Sequence, residues 1–187
     1  MHAFTTIAIT AALLSSTLAA PLQPRSCSYN YLPNLWSISQ HVPETPNGPF
    51  TTPFQVSQDI GKRDLIVSFT GIPSGSYGCQ LEFDFKPNPS ASVTGIGNPQ
   101  NLNVYAINGD LPATVTWDSI TPVTGSLVGT WTFPTGNDLK VAKTIVINSF
   151  VCQPTMNFRI QVANDGAKGY VSDPEDATSG LRISHNC

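Results

Sequence analysis

Glu82 and Asp84 are the residues of this 187-residue chain whose types and spacing come closest to a catalytic pair. They sit in Gln80-Leu81-Glu82-Phe83-Asp84-Phe85-Lys86, where apolar and polar residues alternate strictly. That period predicts a β-strand with Leu81, Phe83 and Phe85 on one face. Positions i and i+2 of a strand share a face, with Cα atoms roughly 6.5–7 Å apart. This overlaps the carboxylate separations with which glycoside hydrolases set an acid against a base or nucleophile. The plainer account is that polar residues on the solvent face of an antiparallel strand produce the same spacing by default. No catalytic residue is assigned on this basis, and a hydrolase built on Glu82 and Asp84 stands as an alternative reading.

The remaining reactive residues are sparser. Asp173-Pro174-Glu175-Asp176, with Asn164 and Asp165 upstream, offers the oxygen ligands that calcium takes. It lacks EF-hand spacing, so Asp173, Glu175 and Asp176 read first as a solvated acidic loop. No Gly-x-Ser-x-Gly is present, and His41 in a proline-rich stretch or His185 near the last cysteine makes a poor general base. Gly71-Ile72-Pro73-Ser74-Gly75-Ser76-Tyr77-Gly78 is glycine-rich, but no helix follows it, so it reads as a tight inter-strand loop and not as a phosphate cradle. No Cys-x-x-Cys occurs, and neither a metal nor a cofactor is expected.

Aromatic rings supply a different chemistry, because an exposed ring can stack on a sugar. Trp117 alternates in phase with Val115, and Trp131 with Phe133, which predicts that both point into the core. Tyr29, Tyr31 and Trp36 lie in an irregular stretch and form a candidate ligand platform; packing of that stretch onto the fold is the default. Lys62-Arg63, a dibasic pair of the kind secretory proteases cut, is placed in a hairpin turn.

The elements that must position these residues are strands. Candidates fall at 54–60, 64–70, 78–86, 102–107, 114–119, 128–133, 143–151, 156–163 and 180–184, most of them separated by Gly, Pro or Asn turns. No helical run of any length appears, and 164–179 reads as a polar loop. The expected fold is all-β: a two-sheet antiparallel β-sandwich, jelly-roll-like, over 54–187. Pro33, Pro43, Pro46, Pro49 and Pro53 interrupt pairing before it, so 20–53 reads as a proline-rich strap with short strand-like pieces.

Residues 1–19 read as a signal peptide. They carry no Lys, Arg, Asp or Glu, and an apolar run of about eight residues ends in small residues, too short to span a bilayer. Its removal leaves about 168 residues, one domain's worth. Charged residues are 11% of the chain, against roughly 25% in an average soluble domain. The net charge of −3 has no clustered sign, which argues against a nucleic-acid partner. No other segment is apolar enough to serve as an anchor, so no membrane span is expected, and a monomer is. Cys27, Cys79, Cys152 and Cys187 allow three pairings. Cys27–Cys187 with Cys79–Cys152 is favoured, tying the ends together and then two central strands.

Phe150-Val151-Cys152, then Asn157-Phe158-Arg159-Ile160-Gln161-Val162, Gly169-Tyr170-Val171 and Ser179-Gly180-Leu181-Arg182-Ile183 closing on Cys187 form a distinctive series. With Cys79 opening a Leu81-Glu82-Phe83 strand, this series resembles the fungal secreted But2 C-terminal domain family (ubiquitin 3 binding protein But2) over roughly residues 50–187. The family name implies a ubiquitin-like-pathway partner, which an exported, oxidised chain does not meet, and no catalytic residues transfer from it. The leader, the cysteine staples, the low charge and the missing catalytic constellation point to a secreted, non-enzymatic protein, and the resemblance implies that it is fungal. Its expected place is the host apoplast or the fungal cell wall, as an effector or elicitor or as a wall-associated protein. The corresponding partner is a host cell-surface receptor or a cell-wall polysaccharide. A glycan-binding module using Tyr29, Tyr31 and Trp36 is the first alternative.

Overall fold

The computed structural model describes residues 26–187, and the leader predicted over 1–19 lies outside them. Among the described residues, twelve strands form two antiparallel sheets. The strands are β1 (Ser28–Tyr31), β2 (Asn34–Ser39), β3 (Phe54–Gln58), β4 (Lys62–Thr70), β5 (Cys79–Phe85), β6 (Ser92–Ile96), β7 (Asn101–Ile107), β8 (Thr124–Thr132), β9 (Lys143–Phe150), β10 (Thr155–Val162), β11 (Lys168–Asp173) and β12 (Gly180–His185). The smaller sheet has the order β1-β12-β5-β9. The larger has eight strands, β6-β11-β3-β4-β10-β7-β8, with β2 also paired to β4. This is the expected all-β sandwich.

Alternation in the strands builds the core. Leu81, Phe83 and Phe85 of β5 and Leu181 and Ile183 of β12 face Phe54, Leu65, Val67, Val104, Phe158 and Ile160 of the larger sheet, all buried. Phe83 is the hub of an aromatic cluster, its ring centroid 5.3 Å from Phe133, 5.6 Å from Phe54 and 5.9 Å from Trp131. Trp131 lies in the core, as its phase predicts. Cys27–Cys187 and Cys79–Cys152 are the two disulfides. Among the described residues no helix is long and apolar enough to cross a membrane.

Several elements differ from the sequence reading. The stretch up to 53 is part of the sandwich: β1 pairs with β12, β2 pairs with β4, and Leu35 and Ile38 are buried. Its prolines fall between strands, Pro33 in the β1–β2 turn and the others in the β2–β3 connection, so they interrupt no ladder. Residues 168–173, read as loop, form β11, inserted between β3 and β6. Residues 92–96 form β6, a strand that the sequence pattern does not predict.

The predicted strand at 114–119 is instead the start of a helix, α1 (Trp117–Ile120). The β-branched run Thr114-Val115-Thr116 looks like strand, but a capping box wins. Thr116 Oγ1 accepts from the Ser119 N–H (3.2 Å), and Ser119 Oγ accepts from the Thr116 N–H (2.9 Å). This segment lies over the outer face of the larger sheet, where Val115 and Ile120 bury Ile38, Ile66 and Ile107 in a second, small core. Trp117 is therefore half-buried on that face and not in the main core.

Candidate functional site

The outer face of the smaller sheet collects the residues that matter most. In β5 the alternation that sends Leu81, Phe83 and Phe85 inward turns Gln80, Glu82 and Asp84 outward. In β12 it turns Arg182 and Ser184 outward for the same reason. Register then fixes neighbours across the strands. Arg182 lies opposite Glu82 on one side and Tyr31 on the other, Tyr29 lies opposite Ser184, and Asp84 lies opposite Thr144 of β9.

Arg182 is the centre of this group. Its Nε donates to Glu82 Oε2 and its Nη1 to Asp84 Oδ2, both at 2.7 Å, and Nη1 also donates to the Tyr31 hydroxyl. Tyr31 Oη donates to Asp84 Oδ2 (3.2 Å), Thr144 Oγ1 to Asp84 Oδ1 (2.7 Å), and Ser184 Oγ to Glu82 Oε1 (2.8 Å). The Tyr29 ring covers the guanidinium, its centroid 4.3 Å away, and Tyr31 flanks it at 5.4 Å. Glu82 and Arg182 are buried beneath these rings, whereas Tyr29 is 46% exposed. Burial opposes the charge on Arg182, but hydrogen bonds to Glu82 and Tyr31 and the charge of Asp84 hold its pKa above the usual value. Burial also raises the Tyr31 hydroxyl.

This geometry is a closed ion-pair network. Each oxygen of Glu82 and of Asp84 accepts a hydrogen bond within this network. Glu82 and Asp84 are brought together, on the face the alternation predicts, but around a cation.

The candidate platform is divided. Tyr29 and Tyr31 share this face, their centroids 6.0 Å apart, while Trp36 sits in β2 and packs against the small core on the outer face of the larger sheet. The three rings do not form one surface.

The acidic segment is not a solvated loop throughout. Asp173 and Glu175 are buried, and only Asp176 is exposed, capping the turn through the Thr178 N–H and hydroxyl. Glu175 Oε1 accepts the Leu181 N–H at 2.7 Å, and Asp173 Oδ1 accepts the Glu175 N–H at 3.2 Å. Burial pushes Glu175 up to about 8 and Asp173 up to about 6. Among the described residues no group of three or more His, Cys, Asp or Glu has the geometry to hold a metal ion.

Lys62 and Arg63 lie within β4, paired with Gln58 and Ser57, and not in a turn; Lys62 bridges to Asp165 at 2.7 Å. His185 is buried in β12 beside Asn30 and Asn186, and His41 is exposed.

Two residues that organise these faces escape the sequence reading, Arg182 and Arg159. Arg159 Nε donates to Asp64 Oδ2 at 2.7 Å on the larger sheet, with Trp117 over its guanidinium at 4.4 Å. Burial lifts Asp64 to about 6 against the pull of Arg159. A signal for both exists: in Phe158-Arg159-Ile160 and Leu181-Arg182-Ile183 an arginine occupies the polar phase of an otherwise apolar strand. In so weakly charged a chain, such a position calls for a carboxylate opposite.

Fold and site together define a two-sheet antiparallel β-sandwich tied by two disulfides, with an aromatic-capped ion-pair network on its smaller sheet. No protein-family model matches the chain, and no curated protein matches it.

Proposed function

We propose that this chain is an exported, wall-associated protein that binds polysaccharide without catalysis, through the outer face of its smaller sheet. The observation that carries the reading is the Tyr29 ring, 46% exposed and braced from beneath by Arg182 at 4.3 Å. A braced ring loses little conformational freedom on stacking against a sugar. The occupied oxygens of Glu82 and Asp84 favour a binding role over hydrolysis. Two disulfides suit an oxidising, extracellular setting. The resemblance to secreted But2 C-terminal domain proteins points to a fungal cell wall as that setting.

The test is co-sedimentation of the purified, oxidised protein with insoluble chitin, β-1,3-glucan and cellulose. Retention on at least one polymer is expected, with Tyr29→Ala losing it and Trp36→Ala keeping it. Retention on none of them, or equal retention of Tyr29→Ala, refutes the reading.

A second reading, an apoplastic elicitor recognised by a host cell-surface receptor, is favoured by the staple joining Cys27 to Cys187, which preserves a folded surface outside the cell. It predicts that folded protein infiltrated into leaves triggers defence signalling and that boiled, reduced protein does not.

A further inference from the structure

At the opposite side of the sandwich from β1, the two sheets end in β8 and β9, which do not pair with each other. They touch at one place. Asn148 Nδ2 donates to the Val128 carbonyl, and a Cβ on Gly129 would fall 2.7 Å from Ile147 Cγ2. Beside this contact a cleft of about 650 Å³ runs between the sheets. Its apolar wall is Val128, Met156, Phe150 and Phe158, the two phenyl rings 5.3 Å apart and tilted by 52°. The wall is fixed from behind: Phe150 is the register partner of Cys79, and two residues later Cys152 is disulfide-bonded to the same Cys79.

Size and lining select an occupant. The volume falls within the roughly 300–1,000 Å³ of small-molecule sites. No Lys, Arg or His lines the cleft, and its one ionisable side chain is Asp110, exposed at the rim. An anion entering here would lose its hydration without gaining a cation, whereas an N–H donor finds a carboxylate at the rim.

We propose that this cleft binds a small amphiphile, an apolar ring system carrying an N–H donor, neutral or cationic, and that it rejects anions of similar size. The site is separate from the Tyr29 face and independent of the polysaccharide reading.

The chain offers a direct reporter, since Met156 in the cleft wall and Met1 are its two methionines. Protein labelled with 13C at the methionine methyls is titrated with 1-aminoanthracene and, separately, with the anionic 8-anilino-1-naphthalenesulfonate. The amine is expected to enhance in fluorescence and to shift the Met156 methyl progressively, and the sulfonate to do neither. Asp110→Leu, at an exposed position, is expected to weaken the amine by about tenfold, the loss of one charge-assisted hydrogen bond. A Met156 methyl that stays fixed while probe fluorescence saturates overturns the site. Equal binding of the sulfonate, or unchanged affinity in Asp110→Leu, overturns the donor selectivity.

Discussion

Glu175 makes the stability of this protein fall as pH rises, and replacing it with glutamine removes that fall between pH 6 and pH 8. The carboxyl is buried in the connection between β11 and β12, where Oε1 accepts the Leu181 N–H and Oε2 has no partner among the described residues. Burial, opposed by that hydrogen bond and reinforced by the nearby Asp173, lifts its pKa from 4.5 to about 8. Below 4.5 the group is neutral in both folded and unfolded chains. Between 4.5 and about 8 the unfolded chain ionises while the folded one keeps its proton, so each pH unit removes about 1.4 kcal/mol of stability. Above about 8 both are ionised and the loss stops. The total is at most on the order of 5 kcal/mol, of which about 3 falls between pH 6 and 8. Asp173, lifted from 3.8 to about 6, adds a loss of the same sign that is complete near pH 6, so the window from 6 to 8 isolates Glu175. Glutamine keeps the acceptor for Leu181 and buries an amide N–H with no acceptor where the neutral carboxyl of wild type buries an O–H with none, so the two differ little at low pH. Glu175→Gln is therefore close to wild type at pH 5 and the more stable protein at pH 8. Urea unfolding of the oxidised proteins at pH 5, 6, 7 and 8 measures this. Parallel profiles for wild type and variant, or a wild type that gains stability from pH 6 to 8, would refute the reasoning.

Arg182→Leu strands Glu82 and Asp84 in a buried site without their cation and is expected to cost about 3–5 kcal/mol in urea unfolding; adding Glu82→Gln and Asp84→Asn to it should recover part of that loss. Removing the Cys79–Cys152 bridge as a Cys79→Ala, Cys152→Ala pair, with a sequence separation of 73, should cost about 4 kcal/mol by the loop-closure argument. A melting temperature unchanged in that pair would show that the bridge adds nothing to the folded chain. Gly169→Ala should destabilise by about 2–4 kcal/mol, because φ is +139° there and the added Cβ would fall 1.9 Å from the Thr94 carbonyl oxygen, where β11 and β6 cross through paired glycines; thermal unfolding reads it.

Period-two alternation makes the centre of each sheet legible in the amino-acid sequence. Leu81, Phe83 and Phe85 are assigned to one face by their phase and lie there, and Phe158, Ile160 and Val162 follow the same period in β10. The favoured pairing of the four cysteines is the one found, although Cys79–Cys152 ties β5 to the β9–β10 connection and not to a second central strand. Strands flanked by glycine are not legible. β6 and β11 meet through Gly95 and Gly169, whose lack of side chains permits the close approach while erasing the apolar signal a strand normally carries. Helix α1 reads as strand because its propensity is poor and its stability comes from the Thr116–Ser119 cap and from burying Ile120. At the candidate site, the shared face of Glu82 and Asp84 follows from spacing. Their joint partner does not, because Arg182 is 98 residues from Asp84 and only strand order brings β12 beside β5. The rings at 29, 31 and 36 look like one group because they are close in sequence, but β1 and β2 belong to different sheets.

Both sheets of the sandwich carry the same device on their outer faces: an arginine in the polar phase of a strand, a carboxylate on a neighbouring strand bonded to it, and an aromatic ring over the guanidinium. On the larger sheet the device is Arg159, Asp64 and Trp117, and the segment 108–123 closes over it with an apolar core of its own. On the smaller sheet it is Arg182 with Glu82 and Asp84, and the cover is two tyrosines. If the device served stability alone, both copies would be expected under apolar cover, since a buried ion pair stabilises little beyond what hydrophobic packing supplies. The smaller sheet instead leaves the device's ring, Tyr29, nearly half exposed on a rigid polar base. That asymmetry between two otherwise matching faces is what supports the proposal that the smaller sheet meets a polysaccharide. It also makes Trp117 a natural control: its removal should lower stability through Arg159 and the small core and leave polymer retention untouched, while Tyr29→Ala should do the opposite.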